Sequence, residues 1–245
     1  MAEMEVPQHR TVITNCHGEK LVGMLHETGS KGLVILCHGF RSSKDENSLL
    51  NLAEVLTRDG ISTFRFDFAG NGESEGSFHY GNYRKEADDL RAVVQHFSGK
   101  QREIIAIAGH SKDKGIDGRL GKDFMQRVKE AGFIDVKDKT GQVEYRVTVE
   151  SLMDRLSTDM HAACLSIDKD CRVMTIHGSL DEIIPVEDAL EFAKLIPNHK
   201  LHIIDGANHS YTKHQAELAS VVLDFLRSNQ VMPSPRGERF IESSL

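Results

Sequence analysis

The sequence predicts an α/β domain, a mostly parallel sheet with helices on both faces. Three observations carry this. Short apolar runs recur at residues 32–37, 61–68, 104–108, 172–176 and 201–205, the length of strands rather than of helices. The run 32–37 is continuously apolar, which marks a strand buried on both faces, as parallel sheets require. Segments with apolar residues at helical spacing lie between most of them, and strand–helix alternation is the pattern of parallel crossovers.

Each element follows in order. Residues 10–16 and 21–26 read as a hairpin split by Asn15-Cys16-His17-Gly18. Residues 49–56 read as a helix that stops before Gly60. Residues 83–97 read as a helix with Ala87, Leu90, Val94 and Phe97 on one face. Residues 186–195 and 214–226 read as the last two helices. The stretch from 112 to 170 breaks the rhythm. It is polar and rich in both charges, with amphipathic helices near 120–131 and 151–165, and 143–149 alternates as a strand or an extended loop. We read a domain over residues 1–227 with a small helical cap at about 117–170, then a flexible tail over 228–245.

A chain of 245 residues suits one large α/β domain and is ample to bury a core. Hydrophobic residues make up 39% and charged residues 27%, and the net charge of −7 argues against a nucleic-acid partner. Cys16, Cys37, Cys164 and Cys171 form neither a CxxC pair nor a disulfide framework, so a reducing compartment is expected. The first ten residues are polar and acidic, unlike a secretory signal, and no apolar stretch approaches the roughly 18 residues of a membrane span. A cytosolic location is expected. Ser243-Ser244-Leu245 faintly resembles the peroxisomal address Ser-Lys-Leu without its basic residue, which leaves the peroxisome as a weaker alternative.

Three residues placed just after strands carry the chemistry. Ser111 follows the run 104–108 in the word Gly109-His110-Ser111-Lys112-Asp113. A serine needs an adjacent base to become a nucleophile, and a tight strand-to-helix turn lifts its hydroxyl clear of the sheet. His209 follows Gly206-Ala207-Asn208 after the last run and is the candidate base. With thirteen histidines in the chain, that placement singles it out; His199, His202 and His214 read as surface residues. Asp181 lies a few residues past 172–176 and is the candidate acid that orients the imidazole, with Glu182 its rival. His38-Gly39-Phe40 follows the run 32–37, where an oxyanion-binding amide would sit; the backbone N–H groups of Phe40 and Lys112 are the candidate donors. The bland readings are an ordinary serine in a turn, a solvated carboxylate and a simple His-Gly turn. The glycine-rich stretch 67–74 does not open a helix, which excludes a dinucleotide site. No pair of histidines has metal-ligand spacing, so neither metal nor organic cofactor is expected.

These words, with Leu36-Cys37-His38-Gly39-Phe40 and Arg65-Phe66-Asp67-Phe68-Ala69-Gly70-Asn71-Gly72-Glu73-Ser74, resemble the α/β-hydrolase superfamily. The likeness is to its serine-aminopeptidase-like, monoacylglycerol-lipase-like and cinnamoyl (feruloyl) esterase-like branch. They run in the family's order, Ser…Asp…His, over almost the whole chain. The resemblance implies an α/β-hydrolase fold, a Ser111/Asp181/His209 triad, oxyanion donors at Phe40 and Lys112, and a helical cap. It also implies hydrolysis of a small-molecule carboxylic ester through an acyl-enzyme, with no nucleic-acid or membrane-spanning partner; the oligomeric state stays open.

One departure stands out. The second glycine of Gly-x-Ser-x-Gly is Asp113, and residues 112–119 do not read as the apolar helix that follows the nucleophile in such proteins. Gly115, Gly118 and Gly121 would each cost a helix about 1 kcal/mol relative to Ala. No buried strand reads between 109 and 171. The elbow helix and sixth strand are expected to be missing. A second reading therefore stands beside the esterase: a catalytically impaired binding or interaction protein on the same fold.

Overall fold

The computed structural model describes residues 6–111, 116 and 120–230, the side chains of 229 and 230 excepted. Five strands form the main sheet in the order β1-β2-β4-β3-β5. They are β1 (Gln8–Thr14), β2 (Lys20–His26), β3 (Gly32–Cys37), β4 (Ser62–Phe66) and β5 (Glu103–Gly109). β1, β2 and β4 pair antiparallel, whereas β3 lies parallel between β4 and β5.

The side chains of β3 show why its run is continuous. Leu33, Ile35 and Cys37 pack on one face with Phe64, Phe66, Val93 and Phe97, the last two from α2 (Tyr83–Gly99). Val34 and Leu36 pack on the other face with Leu49, Leu52 and Leu56 of α1 (Asn47–Arg58). Ala219 and Leu226 of the last helix join that second face. Two layers of helix thus sandwich the strand.

The segment expected as a cap contains α3 (Phe124–Ala131), α4 (Val149–Leu156) and α5 (Met160–Leu165). It also holds a hairpin of β6 (Phe133–Lys137) and β7 (Val143–Thr148), of which only the second was anticipated, as one of two options. The single helix expected over 151–165 is two. Ser157 and Thr158 hydroxyls both donate to the Asp154 carbonyl, and the Asp159 carboxylate caps the next helix by accepting from Ala162 N–H. Tyr80, Val128, Ile134, Tyr145, Val147 and Leu152 form the core of this unit, and Phe40 packs against it from the main sheet.

Parallel strands β8 (Val173–Gly178) and β9 (His199–Ile204) form a separate two-stranded sheet, flanked by α6 (Val186–Leu195) and α7 (Gln215–Gln230). Among the described residues no strand joins β5 to β8. The elbow region, where a helix was expected to be missing, falls mainly at 112–115 and 117–119, outside the described residues. On β5, Ile107 is 51% exposed, while every apolar residue of β3 is 7% exposed or less. α7 spans the two parts. Arg227 pairs with Asp59 beside α1, and Arg172, just before β8, donates to Phe225 O and Ser228 Oγ. Among the described residues no helix is long and apolar enough to cross a membrane.

Candidate active site

β5 ends at Gly109, and the chain turns through His110 to Ser111. Ser111 has φ of +33°, the left-handed region that non-glycine residues rarely enter. Such a conformation costs on the order of 1–3 kcal/mol and persists only where neighbours enforce it. Two backbone bonds do so: His110 N–H donates to Cys37 O and Phe40 N–H donates to Ser111 O, each at 3.1 Å. The loop after β3 lies directly on this turn. A Cβ on Gly39 would sit 2.2 Å from the Ser111 carbonyl oxygen, so only glycine permits the approach.

That loop is anchored from below. Asp67 is fully buried; its carboxylate accepts from Lys44 N–H at 2.6 Å and from Lys44 Nζ at 3.0 Å. Lys44 also reaches Glu73 at 2.7 Å, and these carboxylates hold it charged against the cost of burial. His38 Nε2 accepts from Phe68 N–H at 3.1 Å, which leaves Nδ1 to donate to Gly39 O at 2.7 Å.

Asp181 and His209 come from the two loops beyond β8 and β9. These loops are stitched together: Leu180 N–H donates to Ala207 O, and Ser179 Oγ accepts from Gly206 N–H and donates to Asp205. Gly178 permits the contact, since a Cβ there would lie 2.3 Å from Ala207 O. Asp181 Oδ1 accepts from the N–H groups of Ile183 and Ile184 at 2.8 and 2.9 Å. Burial works against its charge, but these amides and His209 outweigh it and hold the carboxyl below its usual range. Asp181 Oδ2 lies 2.8 Å from His209 Nδ1, and His209 Nε2 lies 2.6 Å from Ser111 Oγ. An ionised Asp181 fixes the proton on Nδ1 and leaves the Nε2 lone pair facing the serine hydroxyl.

The remaining candidates fall as follows. Glu182 touches the His209 backbone rather than its ring, accepting from His209 N–H at 3.3 Å. Phe40 N–H, a candidate oxyanion donor, is engaged by Ser111 O. Lys112 lies outside the described residues. His199, His202 and His214 are half-buried rather than on the surface, and His199 Nε2 sits 2.8 Å from Thr175 Oγ1 on β8. Sequence reasoning did not single out Glu46, just before α1, or a role for His110; they meet beside His209 at 2.5 Å. Their partnership is made by the fold, and no local spacing signals it. Away from this site, Cys16, His17 and Asp88 place potential metal-ligand atoms within 4.8 Å of one another. They lie at the first hairpin and on α2, and Asp88 is already paired with Arg91.

Residues 28–112 match the family described as serine aminopeptidase, S33. The uncharacterised protein YDL057W of Saccharomyces cerevisiae is 25% identical over 73% of this chain and 68% of its own length. Lysophosphatidylserine lipase ABHD12 of Danio rerio is 22% identical over 85% of this chain, which spans only 60% of that protein. Among solved structures, Est1E from Butyrivibrio proteoclasticus with bound ferulic acid superposes with a TM-score of 0.71 at 22% identity, covering 91% of this chain and all of that one.

Proposed function

We propose that this chain, whose fold is that of the solved hydrolases it superposes on, is a serine hydrolase acting on a carboxylic ester. The observation that carries this is the continuous chain Asp181–His209–Ser111, with its two links at 2.8 and 2.6 Å. In this reading His209 Nε2 takes the Ser111 hydroxyl proton as Oγ attacks the ester carbonyl carbon. Asp181 stabilises the imidazolium that forms. Collapse of the tetrahedral intermediate expels the alcohol, which receives that proton, and leaves an acyl-serine. Water, activated by the same imidazole, then releases the acid and restores Ser111. Ferulic acid on Est1E is a carboxylic acid, and the zebrafish relative is named a lipase; both fit an ester at this site. The residues need neither metal nor organic cofactor for this chemistry, and the four free cysteines suit a cytosolic setting.

One contact favours the second reading, a binding protein with impaired catalysis. The Phe40 amide is spent on Ser111 O at 3.1 Å, so an oxyanion must displace that carbonyl before the amide can serve it. Losing one such donor costs on the order of 10²–10³-fold in turnover. We therefore expect a slow esterase. A fluorophosphonate probe should label the parent chain at Ser111, and Ser111→Ala should abolish both labelling and p-nitrophenyl acetate turnover. Labelling that survives in the alanine variant overturns the assignment; absence of labelling and turnover in the parent transfers the reading to the binding protein.

A further inference from the structure

His110 stands between the last residue of β5 and Ser111, yet its side chain is turned inward and 15% exposed. Nε2 lies 3.0 Å from the backbone carbonyl oxygen of His209. Nδ1 lies 2.5 Å from Glu46 Oε1, an ion-pair contact rather than a well-directed hydrogen bond. Both nitrogens therefore face oxygen atoms. A neutral imidazole carries one N–H and would turn a lone pair on one of the two oxygens. Only the imidazolium presents a proton to each.

The surroundings agree with that charge. The other carboxylate oxygen of Glu46 accepts from Ser42 Oγ at 2.8 Å. Burial disfavours the charge on both partners, but their mutual attraction outweighs it, holding Glu46 below and His110 above their ordinary ranges. The other groups around the pair are the His209 ring at 5.2 Å, the Tyr211 ring at 6.1 Å and the Asp181 carboxylate on the His110 side, with His38 on the Glu46 side.

The clamp also bridges a break in the architecture. His110 follows β5 and His209 follows β9, and among the described residues no strand pairing connects their two sheets. We propose that His110, as an imidazolium paired with Glu46, is a positioning residue that grips the His209 carbonyl and sets the imidazole of His209 on Ser111. Its bearing on catalysis rests on the serine-hydrolase reading above; its charge and its grip on the His209 loop do not. At alkaline pH the remaining proton stays on Nδ1 against the carboxylate, Nε2 is left bare towards His209 O, and the clamp opens.

Imidazole ¹⁵N NMR on the full chain tests the charge without reference to turnover. At pH 7 both His110 nitrogens should show imidazolium shifts, and Glu46→Gln should convert them to those of a neutral ring. His110→Phe should broaden or shift the backbone amides of His209, Ser210 and Tyr211. It should also lower kcat roughly 10–100-fold with KM changed less than about threefold, the signature of a displaced base. Glu46→Gln, which can still donate to Nδ1 and keep Nε2–H on His209 O, should lower kcat less than His110→Phe. The alkaline limb of the parent's kcat/KM profile should follow the His110 NMR titration. A neutral His110 at pH 7, or unchanged His209-loop amides in His110→Phe, overturns the proposal. Failed fluorophosphonate labelling beside an intact imidazolium signature and a shifted loop overturns the hydrolase reading and leaves the clamp standing.

Discussion

Asp181 and Glu182 are neighbours with the same headgroup and different work. Asp181 places one oxygen on two backbone amides and the other on the His209 ring, so its carboxylate is fixed at both ends. Glu182 meets the His209 N–H rather than its ring, at 3.3 Å and in an exposed setting. Removing the negative charge at 181 leaves the imidazole without its orienting partner, and the amide of an asparagine favours the wrong tautomer. Asp181→Asn should therefore cut ester turnover by roughly 10³–10⁴-fold. Glu182→Gln should change it less than about fivefold, because a carbonyl oxygen still accepts from His209 N–H. Steady-state p-nitrophenyl acetate kinetics decide between them. The reverse ranking would pass the orienting role to Glu182. His110 adds a titration of opposite sign to a buried acid. Its ordinary value is raised by Glu46, so its contribution to stability is complete below about pH 6.5 and is lost as pH rises through its folded value.

At the scale of elements, β2, β4 and the loop before α1 are tied by one line of buried polar groups. Arg65 on β4 donates from Nε to His26 Nε2 on β2 at 3.0 Å and from Nη1 to Lys44 O at 3.0 Å, and it pairs with Asp45. Burial, with the Arg65 charge beside it, pulls His26 down to about 4. The unfolded chain takes up a proton near pH 6.5 that the folded His26 refuses. Stability is thus full above pH 6.5 and falls as pH drops towards 4, and His96 and His199, also lowered by burial, add to the same slope. Thermal midpoints between pH 7 and pH 4 should show this decline, and His26→Gln, which keeps an acceptor for Arg65, should make it less steep. An equally steep decline in the variant would clear His26 of the effect. None of this line was legible in the sequence, since Arg65 looks like a polar interruption of a strand until β2 is laid beside it. The strands themselves were legible: two-sided burial demands the apolar run at 32–37, and the run at 104–108 marks its neighbour although that strand is only partly covered. The positions of Ser111, Asp181 and His209 were legible for a related reason: each follows such a run. The break at Ser157–Asp159 and the strand Phe133–Lys137 were hidden, one by side-chain caps that compete with helix continuation, the other by its brevity and its half-polar face.

At the scale of the molecule, the five-stranded sheet and the β8–β9 sheet are joined at their ends. Near the strand C-termini His110 and Ser111 meet the His209 loop; on the helical side α7 runs from α1 to the start of β8. Between these fastenings β5 pairs, among the described residues, only with β3, and Ile107 stands half exposed on a strand that would be central in an unbroken sheet. An open strand edge carries unpaired amides and apolar surface that water reaches. Amides of β5 should therefore exchange with solvent faster than those of β3, which is bonded on both sides. Restoring the missing layer should reverse this. Inserting an apolar helix–strand segment of about 25–30 residues between Ser111 and Leu120, the usual size of such a crossover unit, offers β5 and β8 a common partner. Burying one isoleucine-sized side chain contributes on the order of 1.5–3 kcal/mol, and in a domain of this size that corresponds to roughly 3–12 °C in thermal midpoint. Turnover should rise with it, because the Ser111 turn and the His209 loop would then share one framework instead of depending on the His110 clamp. Replacing Asp113 with glycine alone should produce neither gain, since one turn residue supplies no buried strand. If the unmodified chain already protects β5 as well as β3 and melts no lower than the extended one, the two sheets are held by more than the contacts named above, and the open edge carries no cost in stability.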